Sequence, residues 1–228
     1  MKKLMLLLLI GCSSLASVQA QTYDQQRVQL QFLNHYGKIY QRGAAPEQTL
    51  GSPYFNDEWM PMDIKFRDTL LSFDQVKLNM MNSDIEVLFN GEEKMLSNAF
   101  FEYVLVPQNG EKKTFVSAAA FKYDGKPLSG FMDVFGTDKI KVMLHHYSYI
   151  KEPHAQAHIT GGFTQHRLMK ESDIYLHDGS KLVLIKRKKD VQDYFRSKKS
   201  AVDRYFKEVN PDIKNPKQLL NLVQAMTA

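Results

Sequence analysis

Five of the seven histidines fall within one short stretch of the chain, and histidine is a frequent ligand of zinc and copper. His154 and His158 are four residues apart, the spacing that places two imidazoles on one face of a helix. His145 or His166 would complete such a pair into a zinc or copper site. The candidate metal ligands are therefore His145, His154, His158 and His166.

The neighbours of these histidines argue against a metal site. No carboxylate follows His154 at the position that a metalloprotease uses for its base. Pro153 and the Gly161-Gly162 pair leave little room for a helix. His145 and His146 are adjacent on an expected strand, so their side chains point to opposite faces. The favoured interpretation is solvated histidines, with no metal and no cofactor.

Other catalytic arrangements have no support in the sequence. Ser52 and Ser129 stand beside glycines but lack the Gly-x-Ser-x-Gly pattern of a hydrolase nucleophile. Asp57-Glu58 and Glu92-Glu93 are adjacent acids that diverge on a strand or turn, so they do not form facing carboxylates. The sequence favours a non-enzymatic binding protein. The alternative is a metal-dependent or hydrolytic enzyme built on the 145–166 region.

Two groups of residues are candidates for binding a ligand or a partner. The basic run Lys186 to Lys189 would suit anionic lipid headgroups or an acidic protein, and on an ordinary helix surface it is simply solvated. Tyr54 and Trp59 would offer a patch for an acyl chain, a sugar or a partner strand if exposed, and belong to the core if buried. The candidate binding residues are Tyr54, Trp59, Lys186, Arg187, Lys188 and Lys189.

Residues 1–20 have the features of a secretory signal peptide. Lys2-Lys3 precede an apolar run, and small residues precede Gln21, which predicts cleavage after Ala20. The alternative is lipid attachment at Cys12, the single cysteine of the chain. Cleavage before Cys12 would leave an apolar core near the lower limit for a signal, so cleavage after Ala20 is favoured.

A cleaved signal peptide predicts an exported protein that is periplasmic or associated with the outer membrane. Cleavage removes Cys12, and with it thiol chemistry, together with two of the 30 Lys and Arg residues. No later apolar run is long enough to span a membrane as a helix. Export argues against nucleic acid as a partner of the basic run. An envelope protein or a lipid-like ligand fits better.

Asx-Gly pairs dominate the middle and late parts of the chain, and they are strong signals for tight β-hairpins. Between and beside them, apolar residues alternate with polar ones or form short continuous runs, as in strands. We expect about nine to eleven strands in a mainly β fold, an antiparallel meander that forms a curved sheet or a partly open barrel. The predicted hairpins pair Ile85–Phe89 with Glu92–Leu96, Phe101–Val106 with Lys112–Val116, and Asp173–His177 with Lys181–Lys186.

From about residue 188 the pattern becomes helical, which makes the fold α+β as a whole. Asp190 is predicted to cap a first helix, and Ser200 to Asp203 resemble a capping box for a second. Asn215-Pro216 provide a cap and a proline at the first position of a third helix. Three short helices bury too little to form a domain of their own.

The expected organisation is therefore a signal peptide, residues 1–20, followed by a single β-rich domain, residues 21–228. Residues 37–61 and 151–164 contain several prolines and glycines and are expected to be irregular.

Residues 51–59 read GSPYFNDEW and precede two alternating segments at 76–79 and 84–87. Near the other end, a hairpin from Ile174 leads to the basic run and the C-terminal helices. Both features resemble a family of small exported proteins common in bacteroidete-type Gram-negative bacteria. The glycine that this family carries after the tryptophan is replaced here by Met60. The resemblance implies export and a β-rich fold, and it implies no activity and no catalytic residue.

Overall fold

The computed structural model describes residues 25–39, 49–136, 139–153 and 165–228. The described part is mainly β, as the sequence predicts, and has four α-helices, one more than predicted. The predicted signal peptide, His154 and His158 lie outside the described residues. The strands are β1 (Lys38–Ile39), β2 (Met60–Phe66), β3 (Thr69–Asn79), β4 (Asp84–Phe89), β5 (Glu92–Leu96), β6 (Tyr103–Gln108), β7 (Glu111–Ser117), β8 (Lys122–Tyr123), β9 (Lys126–Pro127), β10 (Phe131–Phe135), β11 (Lys141–Lys151), β12 (Arg167–His177) and β13 (Leu182–Leu184).

Eleven of these strands form one antiparallel sheet in the order β1-β5-β4-β3-β2-β6-β7-β10-β11-β12-β13, and β8 pairs with β9 separately. The large sheet is not closed into a barrel, and two successive meanders meet where β2 pairs with β6. The predicted open antiparallel sheet is therefore confirmed. The described residues contain more strands than expected because β1, β8 and β9 have two residues each. Strands that short carry no alternation to detect.

All three predicted hairpins form. The first, β4 with β5, turns at Asn90 and Gly91, both at positive φ, as the Asn-Gly signal requires. In the second, β6 begins at Tyr103 because a 3₁₀ turn occupies the preceding residues Asn98–Phe100. In the third, β13 is shorter than predicted.

The three predicted C-terminal helices are present: α2 (Lys188–Tyr194), α3 (Lys199–Val209) and α4 (Pro216–Thr227). Asn215 caps α4 as expected, because its side chain accepts hydrogen bonds from the backbone N–H groups of Lys217 and Gln218. No helix among the described residues is long and apolar enough to cross a membrane.

The predicted caps of α2 and α3 are corrected. Asp190 lies inside the first turn of α2, where its carboxylate accepts from the backbone N–H groups of Lys186 and Arg187 at 2.8 and 2.9 Å. The capping box at Ser200 is wrong, because the 3₁₀ turn Arg196–Lys198 runs directly into α3 and leaves Ser200 within the helix.

A further helix, α1, covers residues 25–36 and was not predicted. Its buried residues are Gln29, Phe32 and Leu33, with Tyr36 partly buried, at the spacing of one helical face. This face packs on the largest core cluster, which is built on β2 to β7 and includes Ile64, Val104 and Phe115.

The strand register defines two faces of the sheet. We call the face that carries Phe115 the inner face, and cross-strand pairing places Leu144 and Ile174 on it as well. Helix α1 covers one part of the inner face, and α2 to α4 cover the part formed by β10 to β12. Between the two covered parts lies buried Asp133, whose carboxylate is 3.3 Å from the Lys113 ammonium. On the outer face, the β8–β9 hairpin packs on a smaller cluster.

Residues 49–59, expected to be irregular, connect distant strands of the sheet. Leu50 forms a parallel bridge with Arg167, the first residue of β12, and Tyr54 forms an antiparallel bridge with Asn79 of β3. Next to this segment, the Met80 carbonyl accepts from the Ser148 N–H of β11 at 3.4 Å. Strands β3 and β11 are not neighbours in the sheet order, so these contacts show that the sheet curls.

Gly130 is the tightest point of this contact. Its φ is +87°, and a Cβ there would lie 2.1 Å from the His146 carbonyl and 3.0 Å from that of Met80. Its N–H donates to the Ser83 hydroxyl at 2.8 Å. Backbone atoms on two sides therefore leave no room for a side chain.

We predict that Gly130→Ala lowers the free energy of unfolding by more than the roughly 1–2 kcal/mol that a positive φ alone costs. Gly110→Ala is the matched control, because Gly110 has a φ of +81° and a Cβ there would meet no atom within 4 Å. Urea denaturation of both variants measures the difference. Equal losses would contradict the close approach of β3, β10 and β11.

Candidate functional site

An apolar cleft runs along helix α1 where the helix lies over the hairpin of β2 and β3. Its volume is about 390 Å³, within the roughly 300–1,000 Å³ of small-molecule sites. Val28 lines it from α1 and is 44% exposed, so this side of the cleft is open. The lining residues are Val28, Gln31, Phe32, His35, Tyr36, Phe66, Thr69 and Leu71.

A second cleft, of about 360 Å³, lies between the end of β2 and the 3₁₀ turn before β6. It shares Tyr36 and Phe66 with the first cleft. The ring centroids of these two residues are 4.7 Å apart. This ring pair therefore forms the wall between the two clefts. The other lining residues are Arg67, Ala99, Phe100, Phe101 and Glu102.

The N-terminal turns of α1 border a third cleft, which is polar and has a volume of about 360 Å³. Gln29 is buried at its edge, and its side-chain amide donates to the Ser72 carbonyl of β3. Among the described residues that line this cleft, Asp74 alone is charged. Its lining comprises Gln25, Gln26, Gln29, Ser72, Phe73, Asp74, Gln75, Leu88, Phe89 and Asn90.

Aromatic contacts hold α1 on the sheet. The ring of Phe32 meets that of Phe66 edge to face at 4.8 Å and lies 6.5 Å from that of Phe73. Such pairs contribute about 0.5–1.5 kcal/mol each beyond the area they bury. The contact between these rings is apolar. An apolar ligand can therefore share this surface with the helix.

The titratable groups in the three clefts are few and divided among them. His35 lines the first cleft, Arg67 and Glu102 the second, and Asp74 the third. No cleft brings an acid and a histidine together for proton transfer among the described residues. The arrangement suits binding of an amphipathic molecule, with apolar and polar surfaces on either side of one helix.

The histidines of the predicted metal site are not brought together where the structure describes them. His145 lies opposite Asp173 on β11 and β12, and its Nε2 is 2.6 Å from the Ser129 carbonyl. His166 precedes β12, and its Nε2 lies 2.6 Å from a Glu152 carboxylate oxygen. Asp173 is seven positions along β12 from His166, roughly 23 Å at about 3.3 Å per residue. No three His, Cys, Asp or Glu residues in the described ranges could hold a metal ion.

His145 and His146 occupy opposite faces, as their adjacency predicts. His146 faces inward, 5.1 Å from the Phe55 ring and 5.7 Å from the Phe115 ring. Burial lowers the pKa of His146 to about 4, with smaller effects from His145 and Lys113. Burial also lowers the pKa of His145. Both histidines are therefore neutral at physiological pH.

A ladder of tyrosines and carboxylates on the outer face was not predicted. Tyr147 and Tyr149 stack with centroids 6.3 Å apart, and both hydroxyls donate to Glu171, at 3.0 and 2.7 Å. These hydrogen bonds lower the pKa of the Glu171 carboxyl. The alternation of β11 places these tyrosines on one face, but their partner on β12 depends on a register that the sequence does not reveal.

Tyr54 and Trp59 lie on either side of a lysine. Tyr54 is 9% exposed and Trp59 is half-buried. The Lys77 ammonium lies 5.0 Å from the Tyr54 ring centroid and 4.7 Å from that of Trp59. The GSPYFNDEW segment therefore places two aromatic rings around a cation of β3. A role of these two residues in binding a ligand stays a prediction.

The basic run lies at the start of α2, remote in sequence from the clefts. Lys188 pairs with Asp203 of α3 at 2.6 Å and lies 4.9 Å from the Phe206 ring centroid. Arg187 is 3.7 Å from Asp190. Lys186 and Lys189 are exposed. In this run, therefore, Arg187 and Lys188 are paired with acids, whereas Lys186 and Lys189 are directed to solvent.

We predict that His146 makes the protein less stable in acid. The unfolded histidine takes up a proton below about pH 6.5, whereas the native one stays neutral until about pH 4. The free energy of unfolding therefore falls as the pH drops from 6.5 to 4, by on the order of 2–3 kcal/mol. Above pH 6.5 the protein keeps this stability in full.

His146→Phe keeps the ring packing and removes this titration, so its stability should fall less over the same pH range. Asp84, whose pKa burial raises to about 6, acts in the opposite direction in both proteins and cancels in the comparison. Urea denaturation at several pH values measures the difference. Parallel pH profiles of the two proteins would contradict the assignment.

Comparison with known proteins supplies no relative for this fold and these clefts. No protein-family model, no curated protein and no solved structure matches the chain. The family resemblance of the 51–59 segment stays an expectation, and the function is argued from the clefts around α1.

Proposed function

We propose that the protein binds a lipid-like, single-chain amphiphile between helix α1 and the inner face of its sheet. The observation that carries the proposal is the set of three clefts around one helix. Two of them share the ring pair Tyr36 and Phe66, and the third is lined by glutamines. An acyl chain fits the apolar side and an uncharged head fits the polar side.

The size of the clefts supports an elongated ligand. The two apolar clefts measure about 390 and 360 Å³ and meet at the ring pair. Each buried methylene contributes about 0.8 kcal/mol, so a chain of several carbons supplies useful affinity. Arg67 and Glu102 in the second cleft carry opposite charges, so together they give its lining no net charge that would favour a charged ligand.

The predicted signal peptide agrees with a carrier or binding role in the cell envelope. The signal peptide predicts export, and the chain outside it has the composition of a folded protein. In this setting a ligand-binding protein needs no catalytic residues, and the lining of the described clefts brings none together. A protein partner seated on α1 is the competing interpretation, and the experiment below separates the two.

The test is binding of a fluorescent monoacylglycerol, a single-chain lipid with an uncharged head, to the protein without its signal peptide. Val28→Glu places a carboxylate at the open side of the apolar cleft, so we expect affinity to fall roughly tenfold or more. Leu30→Glu is the matched control. Leu30 is 42% exposed on the same helix, close to the 44% of Val28, and lines none of the three clefts.

Retention of binding in Leu30→Glu together with its loss in Val28→Glu supports the proposal. Equal affinity in both variants, or no binding to the unaltered protein, overturns it. Circular dichroism of both variants establishes that α1 is still folded. If the monoacylglycerol does not bind while the Val28 variant loses a captured envelope protein, the site is a protein-binding surface instead.

A further inference from the structure

Helices α2 and α3 carry an excess of positive charge. Residues 186–207 contain nine Lys and Arg residues against three Asp residues. Six of the basic residues are exposed between Lys186 and Lys199, and Arg204 and Lys207 are exposed further along α3. Such a density attracts anions if the acids of the same region do not neutralise it.

Two of the three acids are already engaged within the fold. Asp190 accepts from the backbone at the start of α2 and pairs with Arg187. Asp203 binds Lys188 at 2.6 Å and the Gln192 amide at 2.7 Å. Most of the remaining cations therefore have no acid of their own to neutralise them in this part of the chain.

Helix geometry gathers several of these cations on one side. Lys199, Asp203 and Lys207 are spaced by four residues and lie along one line of α3. The ion pair of Asp203 brings Lys188, and with it the start of α2, to the same line. Lys199 also lies near enough to Asp203 to lower the pKa of that carboxyl, after the larger effects of Lys188 and Gln192. We call the exposed lysines of this surface, Lys189 at the start of α2 and Lys199 and Lys207 on α3, the basic face.

We propose that the basic face docks the protein on an anionic lipid surface. Charge complementarity selects the partner. Phosphate-bearing headgroups present many negative charges on a plane, and Lys199 and Lys207 on one line of α3, with Asp203 between them paired to Lys188, present cations to such a plane. The underside of α3 is anchored by Val202 in the second core cluster, so the face is held rigidly. The inference is independent of the proposed ligand in the clefts.

The experiment measures co-sedimentation of the protein with phosphatidylcholine vesicles that contain or lack phosphatidylglycerol. We expect binding only to the phosphatidylglycerol vesicles, and loss of that binding in high salt. The test variant is Lys189→Glu with Lys199→Glu. Both positions lie in the first turn of a helix, where an acid is favoured, so the fold should persist.

The matched control is Lys122→Glu with Lys126→Glu, on the exposed β8–β9 hairpin over the outer face. It changes the net charge by the same amount. We expect the basic-face variant to bind roughly tenfold more weakly or worse, and the hairpin variant to bind nearly as well as the unaltered protein.

Equal weakening in both double variants shows a general charge effect and overturns the proposal. Binding to soluble polyglutamate without binding to vesicles overturns it in favour of an acidic protein partner. Failure to bind phosphatidylglycerol vesicles at low salt also overturns it. Val28→Glu, which tests the cleft, should leave vesicle binding unchanged, so failure of the ligand proposal is distinguishable from failure of this one.

Discussion

The close backbone contact around Gly130 is the constraint on which the rest of the fold depends. There the end of β3, the start of β10 and the middle of β11 approach so closely that a single Cβ would meet two carbonyl groups. Two hydrogen bonds fix the approach: the Gly130 N–H donates to the Ser83 hydroxyl, and the Met80 N–H donates to the Pro53 carbonyl. The sheet curls because of this contact, and the curl gives it an inner face with enough depth for Phe55, Phe115 and His146 to pack together.

Two groups of helices cover the inner face, and they pack on it with different tightness. Helices α2 to α4 bury Val191, Leu219 and Val223 completely or nearly so, and their surroundings form a continuous core cluster. Helix α1 rests on aromatic rings, keeps a buried glutamine and is bordered by three clefts. One cover therefore completes the core, whereas the other leaves space beside it. This difference in packing places the candidate site at α1.

Local chemistry explains which parts of the fold can be predicted from the sequence. Asparagine tolerates positive φ and glycine, which lacks a Cβ, adopts it freely, so the hairpins at Asn90-Gly91 and Asn109-Gly110 are visible without knowledge of the rest. Asn215 caps α4 for the same kind of reason. Ser200 fails as a cap because a 3₁₀ turn precedes it, and Asp203 is held instead by Lys188 from another helix. Interactions between elements override the local signal there.

The clefts could not be predicted, because residues far apart in the chain form them. Gln29 meets Ser72, and Tyr36 meets Phe66 and Phe100. Even α1 escapes a search for apolar periodicity, since one of its buried positions is a glutamine. The histidine spacing and the Tyr54–Trp59 pair are visible in the sequence because their members are close along the chain. The residue that Tyr54 and Trp59 enclose, Lys77, lies on a distant strand and could not be predicted.

The position of α1 at the start of the described chain has a consequence for the order of assembly. A polypeptide is made from its amino end, so α1 exists before β2 to β7, the strands on which it rests. An isolated helix of this length is marginal in water. Its apolar residues must therefore remain uncovered until the rings they pack on, Phe66, Phe73 and Phe100, have been added. A small amphiphile or a chaperone present during that interval would meet the same surface that later forms the floor of the clefts.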